Sequence, residues 1–234
     1  MSVYVMSDLH GMSLTELKAL LDKADFCEND FLYILGDVID RRGDGGVGIL
    51  RWLMTAPNAQ FILGNHEAML LSCSFLFEEI TEESISELDE EKMSLLDTYT
   101  ESGGEVTLEA LRKLDRETVT DILDYLRDCP LYDTLTVNGR DFILVHGGLD
   151  EFDKNKKLTE YTSDEFLWAW PEYDDEYFED ITTVFGHTPT IYYDRDIKGR
   201  ILHRPTWIDI DVGTAYGNEP ALLRLDDMKE VYLK

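Results

Sequence analysis

Residues 3–11 of the chain read VYVMSDLHG, a short apolar run that leads directly into an aspartate, a histidine and a glycine. The same arrangement returns at residues 31–41, which read FLYILGDVIDR, and at residues 60–67, which read QFILGNHE. Apolar runs of this length, rich in β-branched and aromatic residues, are typical of buried strands. Each of these predicted strands therefore ends in polar residues that can carry chemistry.

Helical patterns separate the three runs. Ser13 and Glu16 have the spacing of a capping box, and the leucines that follow line one face of a predicted helix. Residues 47–54 predict a second, shorter helix. The order strand, helix, strand, helix, strand predicts a parallel βαβαβ start. Further strands are predicted at residues 142–145, 183–185, 207–210 and 221–225.

From residue 68 to residue 129 the apolar period becomes helical, and Pro130 is expected to end it. This stretch predicts a helical cap inserted at about 68–130 within one domain that spans residues 1–234. An α/β fold class follows from the whole pattern.

Charge and composition limit the function classes. The chain has 49 acidic and 21 basic residues, a net charge of −28, which disfavours nucleic acids and anionic membranes as partners. Residues 78–128 hold 17 Asp and Glu against 5 Lys and Arg, and residues 150–180 hold 12 against 3; we interpret both as solvated surface. Hydrophobic residues make up 44%, which excludes a disordered chain. Three cysteines without a CxxC pair lead us to expect a cytoplasmic protein.

Polar blocks follow five predicted strands. Two more, His146-Gly147-Gly148 and Gly186-His187-Thr188-Pro189, join the three quoted above, and four of the five histidines fall in these loops. Open α/β sheets place their sites beyond the carboxyl ends of the strands, where such loops converge. A single Asp or His in a turn would usually be structural, whereas five blocks together predict a metal site.

The order and spacing of the blocks resemble the calcineurin-like metallophosphoesterase superfamily, and within it the phosphoprotein-phosphatase branch, in a small bacterial or phage-like form. That family reads GDxHG, GDxxDRG and GNHE, then HGG and GHTP. Asp37 lies 27 residues after His10, and Asn65 lies 28 residues after Asp37. The resemblance implies a two-sheet β-sandwich flanked by helices, the αββα fold, and residues 208–213 resemble the family's closing segment.

The resemblance also implies a ligand set for two divalent ions that share one bridging carboxylate, Asp37. Mixed oxygen and nitrogen ligands without thiolate favour Mn²⁺, with iron or zinc as alternatives. The implied ligands are Asp8, His10 and Asp37 for the first ion, and Asp37, Asn65, His146 and His187 for the second.

Catalytic roles follow from the same resemblance. A metal-bridging hydroxide would attack phosphorus in line, His66 would protonate the leaving oxygen, and Asp40 would orient His66. Arg41 would bind phosphate oxygens through its guanidinium fork. Asp40 could instead cap the following segment, and Arg41 could form a surface ion pair.

Two departures from the family pattern concern substrate binding. Arg42 stands where the family has glycine, so that it either adds a phosphate contact or points to solvent. The family often supplies another arginine after a Leu-Trp segment, but residues 166–171 read FLWAWP. We expect Trp168 and Trp170 to belong to the core rather than to a substrate platform.

The predicted activity is hydrolysis of phosphomonoesters, with a serine/threonine protein phosphatase as the first interpretation and phosphorylated proteins or small phosphoesters as substrates. A nucleotide hydrolase, such as a diadenosine tetraphosphatase, is the alternative with the same chemistry. An inactive metal-binding scaffold is a third interpretation, which the complete set of ligands disfavours.

Overall fold

Two five-stranded mixed sheets form the centre of the protein in a computed structural model that describes residues 1–79, 81, 89–197 and 199–234. The strand orders are β10-β9-β1-β2-β3 and β4-β5-β6-β8-β7. The strands are β1 (Val3–Met6), β2 (Phe31–Leu35), β3 (Ala59–Ile62), β4 (Tyr132–Val137), β5 (Arg140–Val145), β6 (Ile181–Phe185), β7 (Leu202–His203), β8 (Trp207–Asp209), β9 (Ala221–Arg224) and β10 (Lys229–Tyr232).

The first sheet confirms the predicted βαβαβ start. β1 pairs with β2 in parallel, with Val3 opposite Phe31, and β2 pairs with β3 in parallel, with Leu32 opposite Ala59. The chain returns to this sheet at its end, where β9 lies antiparallel to β1 and β10 lies antiparallel to β9. β10 was not predicted, because its sequence KEVY has few apolar residues.

In the second sheet β5, β6 and β8 are parallel, and antiparallel strands cover both edges. The edge strands β4 and β7 were not predicted. β4 is only partly buried and carries Asp133, so it lacks the continuous apolar run that marks the central strands. β7 has two residues, too few to give a pattern.

Alternate residues of each central strand serve two different cores. In β1, Val5 packs between the sheets with Leu144 and Val184, whereas Met6 packs against the helices on the outer face. Both faces are therefore buried, which explains why the strands read as continuous apolar runs. A third cluster, which includes Trp207, covers the other face of the second sheet.

The α-helices within the described residues cover the sheets. They are α1 (Leu14–Lys23), α2 (Val47–Leu53), α3 (Asn65–Ser72), α4 (Glu90–Glu101), α5 (Glu105–Leu111), α6 (Arg116–Arg127) and α7 (Ser163–Leu167). The capping box of α1 is present, since the hydroxyl of Ser13 accepts from the backbone N–H of Glu16. Across the described part of the chain, none of the helices has the length and apolar content that would let it cross a bilayer.

Helices α4, α5 and α6 lie in the predicted cap and pack against the same core as α1 to α3. Tyr99, Leu108 and Ile122 are buried in that core with Ile39 and Leu70. The fold class is thus confirmed as two mixed sheets flanked by helices. Residues 80 and 82–88, which belong to the predicted cap and to the acidic stretch 78–128, lie outside the described residues.

Candidate dinuclear metal centre

The five polar blocks meet at one edge of the sandwich, beyond the carboxyl ends of β1, β2, β3, β5 and β6. Four of them border a cavity of about 210 Å³, and the block that contains His146 is buried beside it. Six of the predicted site residues line it: His10, Asp37, Arg41, Asn65, His66 and His187. Asp8, Asp40 and His146 are buried beside them. The strand-end placement that the sequence predicts is what brings these side chains together.

Strained backbone is concentrated in these loops. Ten non-glycine residues in the described chain have positive φ, and six of them are predicted site residues: Asp8, His10, Asp37, Asp40, Arg41 and His187. Such conformations cost of order 1–3 kcal/mol each and persist only where surrounding structure enforces them. The surrounding structure therefore fixes these backbone conformations, and with them the positions of the site's side chains.

Two glycines make room for the ligand side chains. A Cβ at Gly36, whose φ is 82°, would overlap the imidazole of His146. A Cβ at Gly186 would overlap the carboxylate of Asp8. The backbone can approach the cluster this closely only because these positions lack side chains.

Backbone carbonyls orient two histidines. His146 Nδ1 lies 2.7 Å from the carbonyl oxygen of Leu35, and His10 Nδ1 lies 3.2 Å from that of Ile39. A neutral imidazole that donates from Nδ1 keeps its lone pair on Nε2. His146 Nε2 lies 3.4 Å from Asp37 Oδ1, and His10 Nε2 lies 3.7 Å from Asp37 Oδ2. Both lone pairs therefore face the carboxylate of Asp37.

Asp8 and Asp37 supply buried carboxylate oxygens to the same space. Asp8 Oδ2 accepts from the backbone N–H of His187 at 2.9 Å. Asp8 Oδ1 is buried and has no hydrogen-bond partner within the described chain. Burial, together with the neighbouring charge of Asp8, raises the pKa of Asp37 well above its usual range. Two carboxylates desolvated side by side call for a compensating positive charge.

Asn65, the first residue of α3, faces acceptors on several sides. Its inward amide atom lies 2.8 Å from His146 Nε2 and 3.0 Å from His187 Nδ1, and the carboxylate of Asp37 is also within reach. If the NH₂ group points inward it donates to these acceptors. If the oxygen points inward, lone pairs face one another and a cation must lie between them. The amide can therefore stabilise the site with its NH₂ group when no cation is bound, or bind a cation with its oxygen.

The ligand atoms form two groups that share Asp37. One contains His10, Asp37 and His66, and the other contains Asp37, His146 and His187; within each group the ligand atoms lie within 4.8 Å of one another. Imidazole nitrogens and carboxylate oxygens are suitable ligands for a pair of divalent ions that share one carboxylate. The buried Asp8 Oδ1, which has no hydrogen-bond partner in the described chain, is a further available ligand atom beside them. The residues present thus fit the predicted group.

The electrostatics separate His66 from the other histidines. Burial and neighbouring positive groups lower the pKa of His10 well below its usual range and that of His187 to about 3, so both are neutral. Burial also acts on His66, but the carboxylates of Asp37 and Asp40 outweigh it and raise its pKa. The pKa of His66 is therefore shifted in the opposite direction from those of His10 and His187, and its Nδ1 is engaged by a carboxylate rather than by a backbone carbonyl.

Asp40 holds His66 and is itself held by the helical segment that follows. His66 Nδ1 lies 2.6 Å from Asp40 Oδ2. Asp40 Oδ1 accepts from the hydroxyl of Tyr99 in α4 at 2.7 Å and from that of Thr107 in α5 at 2.5 Å. Burial and the charge of Asp40 raise the pKa of Tyr99, so its hydroxyl stays protonated. The sequence analysis missed Tyr99 and Thr107, because neither belongs to a strand-end block.

The two arginines occupy different positions. Arg41 lines the cavity, and its Nη2 lies 3.3 Å from His66 Nε2. Arg42 Nε donates to the backbone carbonyl of His10 at 3.1 Å, and its side chain is not among those that line the cavity. Arg41 is therefore placed to reach a bound phosphate, whereas Arg42 supports the loop that carries His10. A role for either in substrate binding stays a prediction.

Glu67 is a third residue whose role was not predicted, although it was quoted in the GNHE block. Its buried carboxylate accepts from the backbone N–H groups of Asp37 at 2.9 Å, Val38 at 2.9 Å and Ile39 at 3.2 Å. One side chain therefore fixes the turn that carries the shared carboxylate. A glutamate two positions after Asn65 gives no sequence signal for this contact.

The expectation that Trp168 and Trp170 belong to the core is wrong. Trp168 is 47% exposed and Trp170 is 55% exposed, and both line the cavity. Leu167, Ala169 and Pro171 are buried instead. The alternation places the two indoles on the open side of the loop, and the single-sequence pattern did not reveal which of the two sets faces inward.

Comparisons with known proteins agree with this arrangement. A family model described as calcineurin-like phosphoesterase matches residues 1–212. The symmetrical bis(5'-nucleosyl)-tetraphosphatase of Yersinia enterocolitica is 39% identical over 74 residues, which cover 31% of this chain and 25% of the relative. The enzyme of the same name from a Marinomonas species is 28% identical over 206 residues, which cover 85% of this chain and 62% of that protein. The chain thus matches less than two thirds of the length of these relatives.

Solved structures share the fold at low identity. A provisionally named diadenosine tetraphosphatase superimposes with a TM-score of 0.61 at 19% identity, over 99% of this chain and 92% of that chain. A protein serine/threonine phosphatase from Saccharomyces cerevisiae, similar to human phosphatase PP5, also gives 0.61, at 15% identity over 96% of this chain and 72% of that chain. With a family model that spans most of its length, the chain belongs to the calcineurin-like phosphoesterase family.

Proposed function

We propose that this chain hydrolyses phosphomonoesters with the help of two divalent metal ions. The observation that carries the proposal is the two groups of ligand atoms that share Asp37, together with the carboxylate of Asp40 that holds His66 Nδ1 at 2.6 Å. Family membership supports metal-dependent phosphoester hydrolysis, and the arrangement of side chains supplies the groups that this reaction needs.

The proposed ligands are those that the resemblance implied. Asp8, His10 and Asp37 would hold one ion; the other would be held by Asp37, Asn65, His146 and His187. The second set agrees with one of the two groups, whereas the first group contains His66 in place of Asp8. We favour Asp8, because its buried Oδ1 has no hydrogen-bond partner in the described chain, while His66 Nε2 already lies 3.3 Å from the guanidinium of Arg41. Mn²⁺ suits this donor set.

When bound, a pair of divalent ions lowers the pKa of water to supply a nucleophile and stabilises negative charge on the phosphoryl group. The chain's own residues do the rest. His66 donates the proton on Nε2 to the leaving oxygen, while its Nδ1–H remains bonded to Asp40. Arg41, 3.3 Å from His66 Nε2, binds a phosphate oxygen and places the leaving oxygen near the acid. No covalent bond between enzyme and phosphate is required.

The first candidate substrate class is phosphoserine or phosphothreonine in proteins, in keeping with the blocks that resemble the phosphoprotein-phosphatase branch. A nucleotide is the second candidate, and a specific observation favours it: exposed aromatic side chains stand at the open side of the cavity. The names of the sequence relatives point in the same direction.

The test is metal-dependent turnover of p-nitrophenyl phosphate. We expect chelation to abolish activity and Mn²⁺ to restore it. Asp37→Asn should remove activity and lower metal content, because the shared carboxylate serves both groups. The matched control is Asp124→Asn, an exposed residue paired with Arg127 away from the cavity, which should behave like the wild type. Full activity in excess chelator, in protein shown by elemental analysis to be free of metal, would refute the proposal.

A further inference from the structure

Four large aromatic side chains with high exposure to solvent surround one opening. Trp168, Trp170, Tyr192 and Tyr216 are between 47% and 60% exposed, and all four line the cavity that the proposed metal ligands border. An aromatic side chain has 150–250 Å² to bury, so leaving several of them uncovered in one place is unfavourable unless a ligand covers them.

These rings form a continuous wall that starts at the metal cluster. The ring centroids of Trp168 and Trp170 lie 5.9 Å and 6.0 Å from that of His187, with interplanar angles of 89° and 80°. The Trp170 centroid in turn lies 5.7 Å from that of Tyr192. Tyr216 lines the same cavity as Tyr192 and interacts with its hydroxyl, which raises the pKa of Tyr192. We call these four side chains the aromatic wall.

The loop that carries the two tryptophans is firmly anchored. Ala169 is 1% exposed, and the backbone N–H of Gly147 donates to the carbonyl of Phe166 at 2.8 Å. Pro171 packs close to Gly148. The two tryptophans are therefore presented on a fixed support, so that little conformational entropy of their loop is lost when a ligand binds to them.

We propose that the aromatic wall binds the base of a nucleoside phosphate whose phosphate lies at the metal cluster. This inference rests on the proposed phosphoester hydrolysis and names its substrate class. Indole and phenol faces stack with nucleobases regardless of their hydrogen-bonding pattern, because every base has a π-face.

The position of the wall selects a nucleotide over a phosphorylated tyrosine. In an aryl phosphate the ring is joined directly to the phosphate oxygen, whereas a nucleobase is separated from it by a sugar and any further phosphates. The wall consists of four rings around one opening, with Trp170 6.0 Å from His187 and 5.7 Å from Tyr192, which is more surface than one ring attached directly to a phosphate can cover.

The experiment compares substrates with and without a base. The ratio of kcat/KM for adenosine 5'-monophosphate to that for ribose 5-phosphate, a phosphomonoester that lacks the base, is measured with Mn²⁺ in the wild type, in Trp170→Ala and in Tyr192→Ala. Loss of one stacking partner should lower the ratio by about 5- to 150-fold. Tyr173→Ala is the matched control, since Tyr173 is 40% exposed but does not line the cavity, and it should leave the ratio unchanged.

A ratio that does not fall in either variant would overturn the inference. The activity of the same variants is also measured on a phosphotyrosine peptide and on a phosphoserine peptide with an aromatic neighbour. A loss of activity confined to one of these peptides would also overturn the inference, because the wall would then bind peptides. Binding of adenosine monophosphate is measured separately by calorimetry in the presence of a chelator, so that no turnover occurs. If the wild type hydrolyses no phosphoester but binds the nucleotide through Trp170, the proposed function fails and the wall stands; absence of both overturns the wall as well.

Discussion

Replacing Tyr99 by phenylalanine tests whether the helical segment after α3 controls the proposed general acid. The change removes one hydroxyl and nothing else from a fully buried ring. That hydroxyl donates to Asp40 Oδ1 at 2.7 Å, while the other oxygen of Asp40 holds His66 at 2.6 Å. Hydrogen bonds to charged groups contribute about 1.5–3 kcal/mol, so the free energy of unfolding should fall by about that amount.

The effect on catalysis is directional. With one donor fewer, Asp40 becomes more basic and less restrained, so that His66 is a weaker and less well oriented acid. General acid catalysis contributes about 10²–10⁴-fold, and we expect a loss of about 10-fold in kcat on phosphoserine, where the leaving oxygen needs a proton. On p-nitrophenyl phosphate, whose leaving group departs without one, we expect a change of less than about twofold.

Steady-state kinetics on the two substrates, with a thermal melt of each variant, checks this prediction. Tyr125→Phe is the matched control. Tyr125 is a partly buried tyrosine of the same helical segment, and none of the described hydrogen bonds joins it to Asp40. Thr107→Ser keeps the second donor and should retain activity, whereas Thr107→Val should act like Tyr99→Phe. Equal losses on both substrates, or a lower melting temperature with no kinetic change, would refute the orienting role.

The other predictions concern the remaining polar groups of the site. His66→Asn should lower kcat strongly on phosphoserine and little on p-nitrophenyl phosphate with metal content unchanged, and loss of a metal ion on elemental analysis would contradict this. Arg41→Ala should raise KM for phosphomonoesters, since a charge-assisted contact contributes about 1.5–3 kcal/mol. Arg42→Ala should change kcat/KM less than Arg41→Ala, because its guanidinium is bonded to the carbonyl of His10; a loss as large would show that Arg42 binds phosphate. Glu67→Gln places an NH₂ group among backbone N–H donors and should cost about 1–3 kcal/mol of stability in denaturant titration, together with weaker metal binding; a wild-type stability would contradict it.

The sequence predicts those features that depend on the pattern of residues within one segment of the chain. Strands β1 and β2 were predicted with the observed bounds, because both of their faces are buried and the apolar runs are continuous. Strands β4 and β7 were missed because edge strands have exposed faces and little periodicity. The strand-end blocks were predicted to converge because neighbouring parallel strands end at one edge of a sheet.

Contacts between distant segments were beyond the sequence. Asp40 and Thr107 are 67 residues apart, and only the packing of α5 against the core brings the hydroxyl to the carboxylate. The exposure of Trp168 was misjudged for a related reason. An indole near a metal cluster has the same local sequence whether it faces the core or a substrate, and the difference is made by which neighbours fill the interior.

The attachment of Asp40 to α4 and α5 has a consequence for heating. Secondary structures open locally at free energies below that of global unfolding, in units that often coincide with supersecondary motifs. Fraying of this helical pair would release Asp40 from Tyr99 and Thr107, while the carbonyls of Leu35 and Ile39 still hold His146 and His10. Opening of this pair alone would therefore lower the proposed activity on esters of poor leaving groups, while the residues proposed to hold the metal ions keep their places. The ratio of the activities on the two kinds of ester would then report the opening of these two helices.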